Sequence, residues 1–132
     1  KRLILDRLSF DHDISVQVFE VTIRLLGGLL SAYQMDRDEA FLGLASELGN
    51  RLLPAFDTPT GMPFRYVNLK TGRTSAPVSN PAEIGTLMLE FGTLSKLTGN
   101  PLYYDAAKRA AHVAPRWIQR EGLFQQLNGL VA

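Results

Sequence analysis

Apolar residues recur at helical spacing along most of the chain, and stretches of strict two-residue alternation are nearly absent, so the pattern predicts a mostly α-helical protein. Four helices can be drawn. The first spans about Val16 to Tyr33 and follows Asp11-His12-Asp13, whose carboxylates are suited to cap it. The second begins near Asp36 or Asp38 and stops at Pro54, with Phe41, Leu44, Ala45, Leu48 and Leu52 along one face. The third starts at Asn80-Pro81, where Asn suits the cap and Pro the first helical position, and runs to about Leu97 before Gly99 breaks it. The fourth starts at Asn100-Pro101 by the same logic and continues until Pro115 bends or ends it. Trp117 and Ile118, just beyond, are expected to pack on the core.

Between the second and third helices, Phe56 to Ser79 holds Pro59, Gly61, Pro63, Gly72 and Pro77, which excludes a continuous helix. Within it, PFRYVNLKTGRT reads as a short extended or hairpin element. A weak internal echo relates LLSAY and the FLGLA after it to TLSKL and the YYDAA after it. Each is the end of a helix, a tight turn and a second helix. Two tandem αα-hairpins point to part of an α/α toroid or solenoid, in which each hairpin buries its apolar face only against its neighbours. Such a piece is expected to self-associate or to be poorly folded when isolated, because its outer faces stay uncovered.

Composition narrows the partners. With 132 residues, 45% hydrophobic and 20% charged, the chain has the make-up of one globular domain. Lys plus Arg (14) nearly balances Asp plus Glu (13), so no summed field favours nucleic acid or an anionic membrane. The most apolar run, Leu25 to Ala32, falls short of the roughly 20 residues that span a bilayer. There is no cysteine, which removes disulfides and thiolate chemistry and leaves the redox compartment open. Lys1 stands where a start would be, and GLFQQLNGLVA ends without a stop signal, so the chain is expected to be an internal piece of a longer protein.

Projected at 100° per residue, the first helix shows an apolar arc roughly 200° wide, holding Val18, Phe19, Val21, Ile23, Leu25, Leu26, Leu29 and Leu30. The remaining stripe holds Gln17, Glu20, Arg24, Gly27, Gly28 and Ser31. Two readings stay open. One is a solvent-facing stripe with a Glu-to-Arg pair at i,i+4. The other is a helix lining a cavity, where small residues leave room for a ligand and Arg24 orients the carboxylate of Glu20. A double glycine costs roughly 1 kcal/mol per residue in a helix interior, which something must offset. On the third helix Glu83 and Glu90 lie seven apart, near one line. Asn80-x-x-Glu83 also fits a capping box, in which Glu83 would reach back to the cap's backbone N–H. No role for Glu90 follows from the pattern. His12 and His112 are isolated, and Asp11-His12-Asp13 is too contiguous to converge on one ion, so no zinc or other metal site is expected in this chain.

Three blocks, FEVTIRLLGGLLSAY, ELGNRLLPAFDTPTGMPFRYVNLKTG and NPAEIGTLMLEFGTLSKLTGNPLYY, resemble successive blocks of family 47 glycoside hydrolases, the class I α-1,2-mannosidases, over about residues 15–110. NLKTG and the Asn80 block look closer to the bacterial and the endoplasmic-reticulum degradation-enhancing branches than to the Golgi enzymes. The resemblance implies an all-α fold, a barrel of seven αα-hairpins of which this chain would supply about two, together with the extended loop between them. It implies Glu20 as the general acid and Arg24 and Glu83 as substrate-binding residues. It implies a calcium-dependent, inverting hydrolase of terminal α-1,2-linked mannose on high-mannose glycans, with the base and the calcium ligand in blocks downstream of Ala132. A fragment so placed would be inactive alone. A cation beside a carboxylate favours its ionised form, whereas a general acid must begin protonated, so another group has to oppose Arg24. The compartment would be the secretory lumen in a eukaryote, or the periplasm or exterior of a bacterium. A glycan-binding, degradation-enhancing relative with little turnover is the alternative, and a helical interaction module without chemistry a third possibility.

Overall fold

Two αα-hairpins in tandem carry the structure, joined by a segment of short strands. The computed structural model describes residues 1–121 and 130–131, with side chains as far as Val113 apart from that of Val78. In order these are α1 (Arg2–Arg7), β1 (Ser15–Gln17), α2 (Val18–Val21), a π turn (Thr22–Leu26), α3 (Gly27–Asp36), α4 (Glu39–Leu52), a 3-10 turn (Leu53–Phe56), β2 (Tyr66–Asn68), β3 (Thr74–Ser75), β4 (Val78–Ser79), α5 (Pro81–Gly85), α6 (Met88–Thr98), α7 (Pro101–Glu121) and β5 (Leu130–Val131). Helix α3 packs on α4, α6 on α7, and α4 on α6. No helix among the described residues is long and apolar enough to cross a membrane.

The turns follow from their residues. Arg37 closes α3 in the left-handed region and donates its N–H to the Tyr33 carbonyl at 2.7 Å. Asp38 then caps α4, accepting from the Ala40 N–H at 3.0 Å. The Lys1 ammonium bridges Asp36 at 2.6 Å and Asp38 at 2.9 Å and, with the Ala40 bond, holds the Asp38 carboxyl below its usual range. Gly99 ends α6 at φ 73°, where a side chain would be strained, and Asn100 accepts from the Leu102 N–H as α7 begins.

The core gathers where the hairpins meet. Phe41, Leu42, Ala45, Leu48 and Leu52 of α4 are buried, while Leu44 of the expected face is only partly so. Phe91 of α6 is wholly buried, its ring set edge-on to Phe56 at 5.2 Å and to Tyr103 at 6.4 Å between centroids. Gly49 permits this approach, since a Cβ there would lie 2.5 Å from Leu94 Cδ2 and 3.1 Å from Tyr103 Cε1. Tyr103 donates its hydroxyl to Asn50 Oδ1 at 2.8 Å, and burial pushes the phenol above its ordinary pKa.

The structure differs from the periodic pattern in four places. A three-stranded antiparallel sheet, β1-β2-β3, lies beside the helices, with Val16 opposite Val67 and Val67 opposite Thr74. The expected hairpin in PFRYVNLKTGRT is therefore present, but it also recruits residues 15–17, and the first helix starts at Val18 rather than Val16. Asp11 and Asp13 accordingly do not cap it. Asp13 accepts from Asn68 Nδ2 at 2.8 Å instead, which ties the strand entry to the hairpin. The third helix is interrupted between Gly85 and Met88, where the Thr86 hydroxyl donates back to the Ala82 carbonyl at 2.7 Å and competes with the helical ladder. Pro115 does not end α7, which continues to Glu121, and the side chains of Trp117 and Ile118 lie outside those described. Helix α1 buries no residue and so left no amphipathic signal.

Candidate functional site

Glu20 sits in the first turn of α2, at the point where the sheet hands the chain to the helix. The Val18 N–H, which opens that helix, donates to the Arg65 carbonyl at 2.9 Å, so the loop before β2 sets where the helix begins. Glu20 Oε2 accepts from Arg24 Nε at 2.5 Å. The carboxylate side chain is 39% exposed and the guanidinium side chain 72%. Arg24 lies inside the π turn, in which the Gly27 N–H reaches the Thr22 carbonyl five residues back. Such single π turns are rare and frequently occur at functional sites.

The widened turn divides the polar stripe drawn from the sequence. Arg24 and Gly28 line an apolar groove of about 580 Å³ that also includes Leu3, Ile4, Leu25 and Leu29. Gly27 and Ser31 turn instead toward α6, lining a groove of about 220 Å³ with Gln34, Leu89, Glu90 and Thr93. Ile23 and Leu25, assigned to the apolar arc, are exposed, and Thr22 is fully buried.

Glu83 is the third residue of α5. Its N–H donates to Asn80 Oδ1 at 2.8 Å, so half of the expected capping box is made. Its carboxylate does not complete the box. Oε1 accepts from Gln17 Nε2 and Arg65 Nη2, each at 3.1 Å, and Oε2 accepts from Ser79 Oγ at 3.3 Å. The Glu83 side chain is only 12% exposed. Replacing Asn80 with Ala should lower stability by about 1 kcal/mol, read as a shift in the urea midpoint, because the cap is lost.

Gln17, the last residue of β1 and three residues before Glu20, is the link by which Glu83 is hydrogen-bonded to the strand that leads into the Glu20 helix. Among the described residues no hydrogen bond joins the two carboxylates directly. Glu90 faces Gly27 from α6. Its Cγ lies 3.6 Å from where a Gly27 Cβ would be, and its Oε2 is buried without a hydrogen-bond partner. A Cβ at Gly27 would thus meet Glu90 at ordinary van der Waals distance, so this contact does not by itself require the glycine. His12 and His112 are both exposed, and no group of three or more His, Cys, Asp or Glu side chains gathers among the described residues.

Sequence reasoning missed Arg65 and Ser79, and it named Gln17 only as a stripe residue. Arg65 is 18 residues from its partner Glu83 and Gln17 is 66 away, beyond any local spacing, whereas Ser79 stands four residues before Glu83 and was open to a local reading.

Comparison with known proteins agrees with this architecture. The Glycosyl hydrolase family 47 model matches residues 1–131. The chain is 40% identical over 128 residues to the human endoplasmic reticulum mannosyl-oligosaccharide 1,2-alpha-mannosidase, covering 93% of this chain and 18% of that protein. It is 47% identical over 130 residues to human mannosyl-oligosaccharide 1,2-alpha-mannosidase IB (94% and 20% covered). It is also 42% identical over 122 residues to mouse ER degradation-enhancing alpha-mannosidase-like protein 2 (82% and 21%). The chain thus spans about a fifth of the length of the curated relatives it matches. The fold superimposes on an alpha-1,2-mannosidase from Trichoderma reesei, an (α/α)7 barrel, with a TM-score of 0.74 at 38% identity, covering 81% of this chain and 26% of that one. With tandem hairpins, the FEVTIR helix and a family match over nearly its whole length, the chain belongs to glycoside hydrolase family 47.

Proposed function

We propose that this chain is the acid-bearing part of an inverting α-1,2-mannosidase that removes terminal α-1,2-linked mannose from high-mannose N-glycans. The observation that carries the reading is Glu20, half-exposed and paired with Arg24 at a helix start that is hydrogen-bonded to the Arg65 loop clamping Glu83. Glu20 would protonate the departing glycosidic oxygen while a base on the opposite face activates water, the two carboxyl groups standing roughly 6.5–9.5 Å apart. Arg24 would orient Glu20 toward that oxygen, and Glu83 would accept from sugar hydroxyls. The base is assigned to blocks beyond this segment, so the segment alone is expected to be inactive.

Calcium is expected for the longer enzyme. Among the described residues no three His, Cys, Asp or Glu side chains gather, and no step here is routed through it. We assign its ligands to blocks of the longer protein outside this chain.

The test is the anomeric configuration of the first product. When the full-length protein is given the methyl glycoside of an α-1,2-linked mannobiose, so that only the cleaved sugar is released as free mannose, and followed by proton NMR, β-mannose should appear before mutarotation. Initial α-mannose would refute inversion. Binding of the disaccharide without release would establish the glycan-binding alternative.

A further inference from the structure

We infer that Arg65 is a positioning residue of this site, tying the helix that carries Glu20 and the carboxylate of Glu83 to one point on the loop before β2. The inference rests on the reading of Glu83 as a sugar-contacting group. Three bonds define the arrangement. The Arg65 carbonyl accepts from the Val18 N–H at 2.9 Å, its own N–H donates to the Ala76 carbonyl at 3.1 Å, and its Nη2 donates to Glu83 Oε1 at 3.1 Å. Ala76 adopts a left-handed φ of 56°, so its carbonyl is directed by an uncommon conformation for a residue with a side chain.

Arg65 is the charged donor among the three side chains that hold Glu83, the other two being Gln17 and Ser79. A hydrogen bond in which both partners are ionised is roughly twice as strong as a neutral one. The pair also has little freedom to rearrange. Val18, Phe19, Phe64 and Leu87 wall it in with Ser79, leaving a cavity of only about 10 Å³. The Arg65 side chain is 41% exposed although its Nε is buried without a hydrogen-bond partner, and the Glu83 side chain it meets stays largely buried. Loss of Arg65 would leave a buried anion on two neutral donors, and Glu83 would no longer be held in one orientation.

The experiment is a double-mutant cycle in the full-length protein, with kcat and KM measured on an α-1,2-linked mannobiose and the melting temperature measured beside them. Arg65→Met should raise KM by about ten-fold, the scale of a hydrogen bond to a charged group, with a smaller change in kcat. Arg65→Lys should recover most of that loss. In a Glu83→Gln background, Arg65→Met should add nothing further. Should Glu83→Gln leave both constants unchanged, the reading of Glu83 fails and takes the inference with it. If Glu83→Gln is impaired and Arg65→Met is not, Arg65 alone is overturned. Equal losses from Arg65→Met in both backgrounds, with a lowered melting temperature, would make Arg65 merely structural and refute the positioning role.

Discussion

Replacing Glu20 with Gln is expected to slow mannose release by the full-length protein about a hundred- to ten-thousand-fold, the range assigned to a positioned general acid. Gln keeps the length and shape of the side chain, and its amide oxygen can still accept from Arg24, so the helix start and its bond to the Arg65 carbonyl should be preserved. What is lost is the proton. The loss should therefore depend on how badly the leaving group needs one. A natural mannobiose, whose departing sugar alkoxide is a strong base, should show the full decrease. An aryl α-mannoside with an acidic phenol should show much less, because its leaving group departs without protonation. Equal losses on both substrates would mean that Glu20 contributes something other than a proton, and a normal rate on the mannobiose would remove it from the chemistry.

Phe91→Ala should be the most damaging substitution in the core, lowering stability by about 3–5 kcal/mol. Phe91 is fully buried and meets two aromatic rings edge-on, so truncation removes transfer energy, leaves a cavity between α4, α6 and α7, and forfeits roughly 0.5–1.5 kcal/mol of geometric preference for each ring pair. The surrounding helices cannot easily collapse into the space, because Gly49 already brings α4 against Leu94 and Tyr103. Leu89, two residues earlier and 74% exposed, is the internal control, and its replacement by Ala should stay within about 0.5 kcal/mol. Chemical denaturation of the two variants beside the parent would check the pair. Similar midpoints would show that α6 is not packed as described.

The difference between what could and could not be read from the residues has a physical pattern. Helix starts at Asp38, Asn80 and Asn100 were legible because capping is a contact between near neighbours, and each cap is present with its hydrogen bond. The tandem hairpins were legible because apolar spacing is also local. Strand β1 was not, since three residues are too few to show alternation and its pairing partner, residues 66–68, lies some fifty positions away. Sequence separation also hid Arg65 and Gln17 from Glu83. Its local pattern pointed to a capping box, and the backbone half of that box did form. The carboxylate went elsewhere because a charged donor, Arg65, was brought to it by the sheet, and an ionised partner outcompetes a backbone N–H. Glu20 and Arg24 needed only an i,i+4 spacing to be paired from sequence, but nothing in that spacing told which groove their neighbours would face.

That last distinction turns on the π turn at Thr22–Leu26. It accommodates one residue more than an ordinary helical turn, so a single deletion within it would restore an unbroken α-helix of nearly the same composition. Because the wide turn absorbs that residue locally, Glu20 on one side and Gly27 and Ser31 on the other would keep nearly the faces they now present. The change would fall on the turn itself, where Thr22 is fully buried while Ile23 and Leu25 are exposed. The extra residue is therefore a local device: it resets which side chains between the acid and the double glycine face the core, and leaves the two flanking segments in register.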